Sequence, residues 1–167
     1  MRYSLFVLLL SFSCLACQSQ DRMVKSKAYD VMLKGLLPTE APFISVTELM
    51  QTDEAFLLDA RKKEEFEVSH MPEARWVGYE EFDPAWVSDL AKDQPIVVYC
   101  SVGYRSGEIA QKLIEMGYTD VHNLYGGLFE WSNQSQVLVD KSGESTKKVH
   151  GYSPTWGVWV KKGKVVY

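Results

Sequence analysis

Cysteine and histidine are scarce in this chain. Its 167 residues contain three of each. His70, His122 and His150 have no ligand spacing for zinc, and no metal or other cofactor is expected. Cys14, Cys17 and Cys100 are too few and too unevenly spread for a disulfide framework. Basic residues are also in the minority: 18 Lys and Arg stand against 22 Asp and Glu, for a net charge of −4. No basic cluster relieves that balance, which argues against a nucleic-acid surface. Internal repeats and low-complexity tracts are absent. The apolar run Leu5 to Leu10 is too short to cross a bilayer as a helix. What remains is a chain of ordinary globular composition, 46% apolar, long enough for one domain with a sizeable core.

Its most informative stretch runs from Ile96 to Gly117. Ile96 to Tyr99 is an apolar run suited to a strand buried on both faces. Beyond Arg105 the period changes to that of a helix, with Ile109, Ala110, Leu113 and Ile114 on one face and Gly117 as its stop. Cys100 therefore sits at the carboxyl end of a buried strand, just before a loop and a helix. In open α/β sheets ligands bind at that edge. A cysteine is nucleophilic as its thiolate, which inward-pointing amides, a helix N-terminus and a nearby cation stabilise. The segment Ser101 to Ser106 offers the amides, Gly103 the backbone freedom, and Arg105 the cation and a fork for an anionic substrate. The bland alternative is a small buried residue ending a core strand; Gly103 and Arg105 at these offsets tip the balance toward chemistry.

The segment Cys100-Ser-Val-Gly-Tyr-Arg105-Ser106 resembles the active-site loop of single-domain rhodaneses, which are sulfurtransferases. Four residues separate Cys100 from Arg105. Related phosphatases place five there, making room for phosphate, whereas the shorter loop suits a sulfur carried on the cysteine. Two further stretches resemble the same family. One runs from Leu58-Asp-Ala-Arg61 through Glu65-Phe66 to His70-Met-Pro72, with Ser69 and Glu73 standing where the family usually has glycine. The other is Tyr125-Gly-Gly-Leu-Phe-Glu-Trp131. The resemblance implies an α/β fold: a rhodanese-like open parallel sheet of about five strands with helices on both faces. It also implies Cys100 as the catalytic residue and Ser101, Val102, Gly103, Tyr104, Arg105 and Ser106 as the substrate cradle. Asp59 and Arg61 would brace the edge as supporting residues, and His70 would sit in a structural turn.

The ends of the chain fall outside that resemblance. Arg2, the apolar run and Leu15-Ala16-Cys17 resemble a bacterial lipoprotein signal, with Cys14 in place of the usual leucine. Residues 1–16 are expected to be a signal peptide and Cys17 to carry a lipid anchor, placing the protein at a membrane facing the periplasm. Cys100 would then be the one free thiol. Residues 17–42 would form a tether and an outer helix, 43–134 the rhodanese-like domain, and 135–167 a short β-rich extension. Strands are expected there over 137–139, 157–160 and 164–167, and short helices earlier over 79–82 and 84–91. The extension is either an appendage packed on the domain or a lid or partner surface beside the loop.

The expected reaction moves a sulfane sulfur from a small donor, such as thiosulfate or a persulfide, onto Cys100 and then to a thiol or cyanide acceptor. Arg105 would hold the negative charge of the donor. The competing readings are a phosphatase-type activity on the same scaffold, and a non-catalytic or sulfur-carrying module that recognises a periplasmic partner. A missing second thiol argues against dithiol exchange.

Overall fold

The strand that ends at Cys100 is the centre of the sheet. The computed structural model describes residues 23–167 apart from 39, 53 and 54; the expected signal peptide and Cys17 anchor lie outside the described residues. In chain order, α1 spans Lys27–Leu36, β1 Phe43–Ile44, α2 Val46–Leu49, β2 Phe56–Asp59, α3 Lys63–Val68 and β3 Arg75–Trp76. Next come β4 Ile96–Tyr99, α4 Tyr104–Glu115, β5 Val121–Leu124 and α5 Gly127–Asn133. The first five strands form a parallel sheet in the order β1-β5-β4-β2-β3. This is the open α/β architecture that the sequence implied.

The pleat of β4 divides the interior in two. Val97 and Tyr99 point into one core, and Ile96 and Val98 into the other. The first core is closed by Leu33 of α1 and by Leu128, Phe129 and Trp131 of α5. The second is closed by Ile109, Ala110 and Leu113 of α4, the face that the helical spacing picked out. A strand buried on both sides leaves its carboxyl end as its outlet. Cys100 is at that end.

Some local expectations are corrected. From the sequence, Arg61 to Val68 reads as a helix; α3 begins only at Lys63, because the Arg61 amide and side chain both turn back onto Asp59. Residues 79–82 form a turn instead of a helix, and the expected helix over 84–91 is a single 3-10 turn, Pro84–Val87, capped by Asp83.

The chain continues as β6 Leu138–Val139, β7 Ser145–Thr146, β8 Lys148–His150, α6 Pro154–Gly157 and β9 Lys164–Val166. β6 and β7 pair as an antiparallel hairpin around Gly143, while β8 and β9 pair in parallel. Parallel neighbours need a crossover, and the segment expected as a strand over 157–160 supplies it. Pro154 sits at the first helical position and starts α6, which overrides the β-forming residues that follow. The extension is pinned to the domain. Ser132 Oγ donates to the Lys162 carbonyl at 2.6 Å, Asn133 Nδ2 donates to the Trp159 carbonyl at 2.9 Å, and the Trp159 ring stacks on Tyr29 of α1.

Candidate active site

Cys100 is held from below by a segment 28 residues away. The Leu128 amide donates to the Cys100 carbonyl at 2.8 Å, and the Phe129 amide to the Ser101 carbonyl at 3.1 Å. The first turn of α5 thus fixes the backbone that carries the thiol. Gly127 is what lets the two segments meet. It has φ 55°, and a Cβ there would lie 2.7 Å from the Ser101 carbonyl carbon. Gly127 of the Tyr125-Gly-Gly motif therefore does more than turn the chain; it lets α5 brace the backbone that carries the thiol.

Cys100 is 1% exposed, and its sulfur faces the start of α4. The Gly103 amide donates to Cys100 Sγ at 3.1 Å. Gly103 reaches this position with φ 115°, a conformation that a side chain would strain. Asn123 locks the loop from the next strand. Its Nδ2 donates to the Gly103 carbonyl at 2.8 Å, and its Oδ1 accepts from the Ser106 hydroxyl at 2.7 Å. That hydroxyl has one proton to share between Asn123 and the sulfur. Burial pushes the Cys100 thiol up. The Arg105 charge, the Ser106 hydroxyl and amide, and the Gly103 amide outweigh it and hold the thiol below its ordinary value.

Arg105 is not left open. Its Nη1 donates to Glu65 Oε2 at 2.7 Å and its Nη2 to Glu65 Oε1 at 3.0 Å, a two-pronged ion pair. Nη2 also reaches Ser101 Oγ at 3.0 Å, and that hydroxyl donates to Glu65 Oε1 at 2.9 Å. Burial raises the Glu65 carboxyl, but Arg105 outweighs it and the group is held below its usual range. Sequence reasoning placed Glu65 within a family signature and gave it no role. The pair links residues 40 positions apart, and no local pattern could have revealed it. Arg105, expected to hold the negative charge of a donor, is ion-paired to Glu65 at the edge of the loop that carries the sulfur.

Asp59 and Arg61 lie beneath this level, both fully buried. Arg61 Nη2 donates to Asp59 Oδ2 and to the Ser69 carbonyl, both at 2.6 Å. The guanidinium ties the end of β2 to the turn before His70. His70 stacks on Phe66, its Nδ1 sits 2.9 Å from the Phe66 carbonyl, and its backbone bridges to Val139. It does not line the cleft above Cys100.

That cleft has a volume of about 260 Å³. Cys100, Ser101, Val102, Tyr104 and Arg105 line it, together with Leu36 from α1 and Tyr152 and Trp156 from the extension. The extension is thus both an appendage and a wall of the site. The Tyr152 ring lies 5.1 Å from the Arg105 guanidinium carbon. No group of His, Cys, Asp and Glu suited to a metal occurs among the described residues.

A strand-end cysteine in a short amide-lined loop, on a five-stranded parallel sheet, agrees with what comparison with known proteins finds. Residues 45–134 match the rhodanese-like domain. The chain belongs to the rhodanese family. A sulfurtransferase of Allochromatium vinosum is 30% identical over 95 residues, which are 57% of this chain and 88% of that protein. The adenylyltransferase and sulfurtransferase UBA4 of Candida albicans is 35% identical over 95 residues. The match covers 51% of this chain but only 21% of that protein, so the rhodanese-like chain spans about a fifth of that relative. Among solved structures, the BH2092 protein of Bacillus halodurans shares the fold, with a TM-score of 0.54 at 20% identity over 70% of this chain and 86% of that one. The family and its sulfurtransferase relatives point to sulfur transfer in general.

Proposed function

We propose that this rhodanese is a sulfurtransferase that carries sulfur on Cys100. The observation behind this reading is the sulfur at the floor of the cleft, with the Gly103 amide 3.1 Å away and its thiol held low. In the first step the Cys100 thiolate attacks the outer sulfur of a donor. With thiosulfate, the new bond joins Sγ to that sulfur, the donor S–S bond breaks, and sulfite leaves with its electron pair. Cys100 then bears a persulfide anion, stabilised by the Gly103 amide, the Ser106 groups and the Arg105 charge. In the second step an acceptor thiolate or cyanide attacks the outer sulfur, and the Cys100 thiolate is restored. Neither step needs a dedicated base once the thiol is ionised, and neither needs a cofactor. Asp59 and Arg61 support the edge without touching the reacting atoms. Anchoring through a lipid on Cys17, with the domain facing the periplasm, belongs to the same proposal and is supported by the sequence of residues 2–17.

Intact mass of the full chain, extracted in detergent, tests both parts. Incubation with thiosulfate or a persulfide should add one sulfur, about 32 Da. Cyanide should remove it, and Cys100→Ser should never acquire it. The starting mass should include lipid that Cys17→Ala lacks. An unchanged mass with every donor would sink the transfer reading in favour of a recognition module; masses of the chain and Cys17→Ala that differ by no more than the cysteine sulfur itself, about 32 Da, would remove the anchor.

A further inference from the structure

The expectation that Arg105 grips an anionic donor meets a structural difficulty. It is the only basic residue among the described residues lining the cleft, and both of its terminal nitrogens are engaged by Glu65. The Tyr152 ring covers the guanidinium from the extension side. A dianion such as thiosulfate entering here would meet the Glu65 carboxylate as well as the arginine. Apart from Cys100 and the Ser101 hydroxyl, which is itself tied to Glu65, the rest of the lining is apolar or aromatic: Leu36, Val102, Tyr104, Tyr152 and Trp156. Its volume, about 260 Å³, is near the lower end of sites that enclose small organic molecules, about 300–1,000 Å³.

The two extension residues are placed for this by their own backbone. Tyr152 adopts φ 61°, unusual for a side-chain-bearing residue, and its amide donates to His150 Nδ1 at 3.1 Å. The Gly151 amide is held by the Val166 carbonyl at 2.9 Å, and the Trp156 amide by the Ser153 carbonyl at 3.0 Å. Tyr152 keeps 48% of its surface exposed although it faces an apolar cleft. An aromatic ring held in a rare backbone conformation against Arg105 in the cleft that contains Cys100, with about half of its surface exposed, is arranged to be covered by something that enters.

We propose that Tyr152 and Trp156 determine donor specificity, and that the cleft takes an organic sulfane-sulfur donor with an apolar body and at most one negative charge, in preference to thiosulfate. This rests on the sulfur-transfer reading. The chemistry at sulfur is unchanged. The Cys100 thiolate attacks the outer sulfur, the bond to the donor body breaks, and the organic part leaves as a thiolate or sulfinate with the electron pair. The apolar body lies against the two rings while this happens.

Benzenethiosulfonate and methanethiosulfonate test the idea, because they share the reacting group and its single charge and differ in the body. Both would be assayed on the full chain by Cys100 persulfide formation, each kcat/KM divided by the rate with a free small thiol to correct for the leaving group. The corrected preference for the aromatic donor should be about tenfold or more, as a filled apolar subsite gives. Tyr152→Asn removes the ring at a φ that asparagine tolerates. It should bring the preference near unity by raising KM for the aromatic donor, while the methyl donor stays within about twofold. Tyr152→Phe should restore the preference, and Trp156→Ala should reduce it in the same direction. Equal corrected rates for the two donors in the unaltered chain, or a preference that survives Tyr152→Asn, would overturn the assignment while leaving sulfur transfer intact. Loading by thiosulfate but by neither organic donor would overturn this proposal and leave sulfur transfer standing, whereas loading by none of the three would bring down both.

Discussion

Asp59–Arg61 and Glu65–Arg105 are built from the same two functional groups at nearly the same separation, 2.6 and 2.7 Å. They lie at different depths. Neither member of the first pair is exposed, whereas 15% of the Arg105 side chain reaches the cleft. At full depth the charges can only satisfy each other and a carbonyl, so the pair fixes backbone. At the cleft floor one member still projects its field onto the Cys100 sulfur. A third pair, Arg75–Asp89 at 2.7 Å, lies mostly in solvent, with 32% and 60% exposure. Separation is common to all three, so environment decides what each pair does.

Breaking the deepest pair should have the largest effect. Arg61→Leu strands a buried carboxylate and should cost about 3–5 kcal/mol of stability in urea unfolding. A loss below 1 kcal/mol would mean that Asp59 finds another partner. The middle pair should move reactivity more than stability. The rate of Cys100 alkylation by iodoacetamide should rise with pH and level off. Because the folded thiol is held low, its half-maximal point should fall below that of a free thiol, about 8.5. Arg105→Met should move that point upward and slow alkylation at pH 7 by about tenfold. Glu65→Gln frees the Arg105 charge and should move it the other way, with alkylation about two- to threefold faster. Movement of both variants in one direction would show that loop geometry, not charge, sets the thiol. At the exposed pair, Asp89→Ala should leave the unfolding midpoint unchanged; a clear drop would show that depth is not the deciding variable.

The first two pairs also differ in how far the sequence revealed them. Asp59 and Arg61 are two residues apart at the end of an apolar run, inside a stretch whose family resemblance implied both as bracing residues. The strand-loop-helix around Cys100 stood out because its apolar period switches where the chemistry lies. Glu65 and Arg105 meet only because β2 and β4 are adjacent in the sheet, and strand order is not written in local periodicity. Tyr152 and Trp156 were harder still. Their segment was flagged as too aromatic for a linker, but β-forming residues at 157–160 suggested a strand. Pro154 and the parallel pairing of β8 with β9 produced a helix that turns the rings toward the cleft.

One consequence follows from the 1% exposure of Cys100 and the grip of α5 on its backbone. The thiol cannot lean out to meet a bulky reagent. A sulfur bound to Sγ extends the side chain by about 2.05 Å. The empty protein would then be shielded from large reagents, and the loaded one would present its reacting atom nearer the surface. Occupancy itself would set the reach of the protein: a probe too large to touch the bare thiol could still collect the cargo.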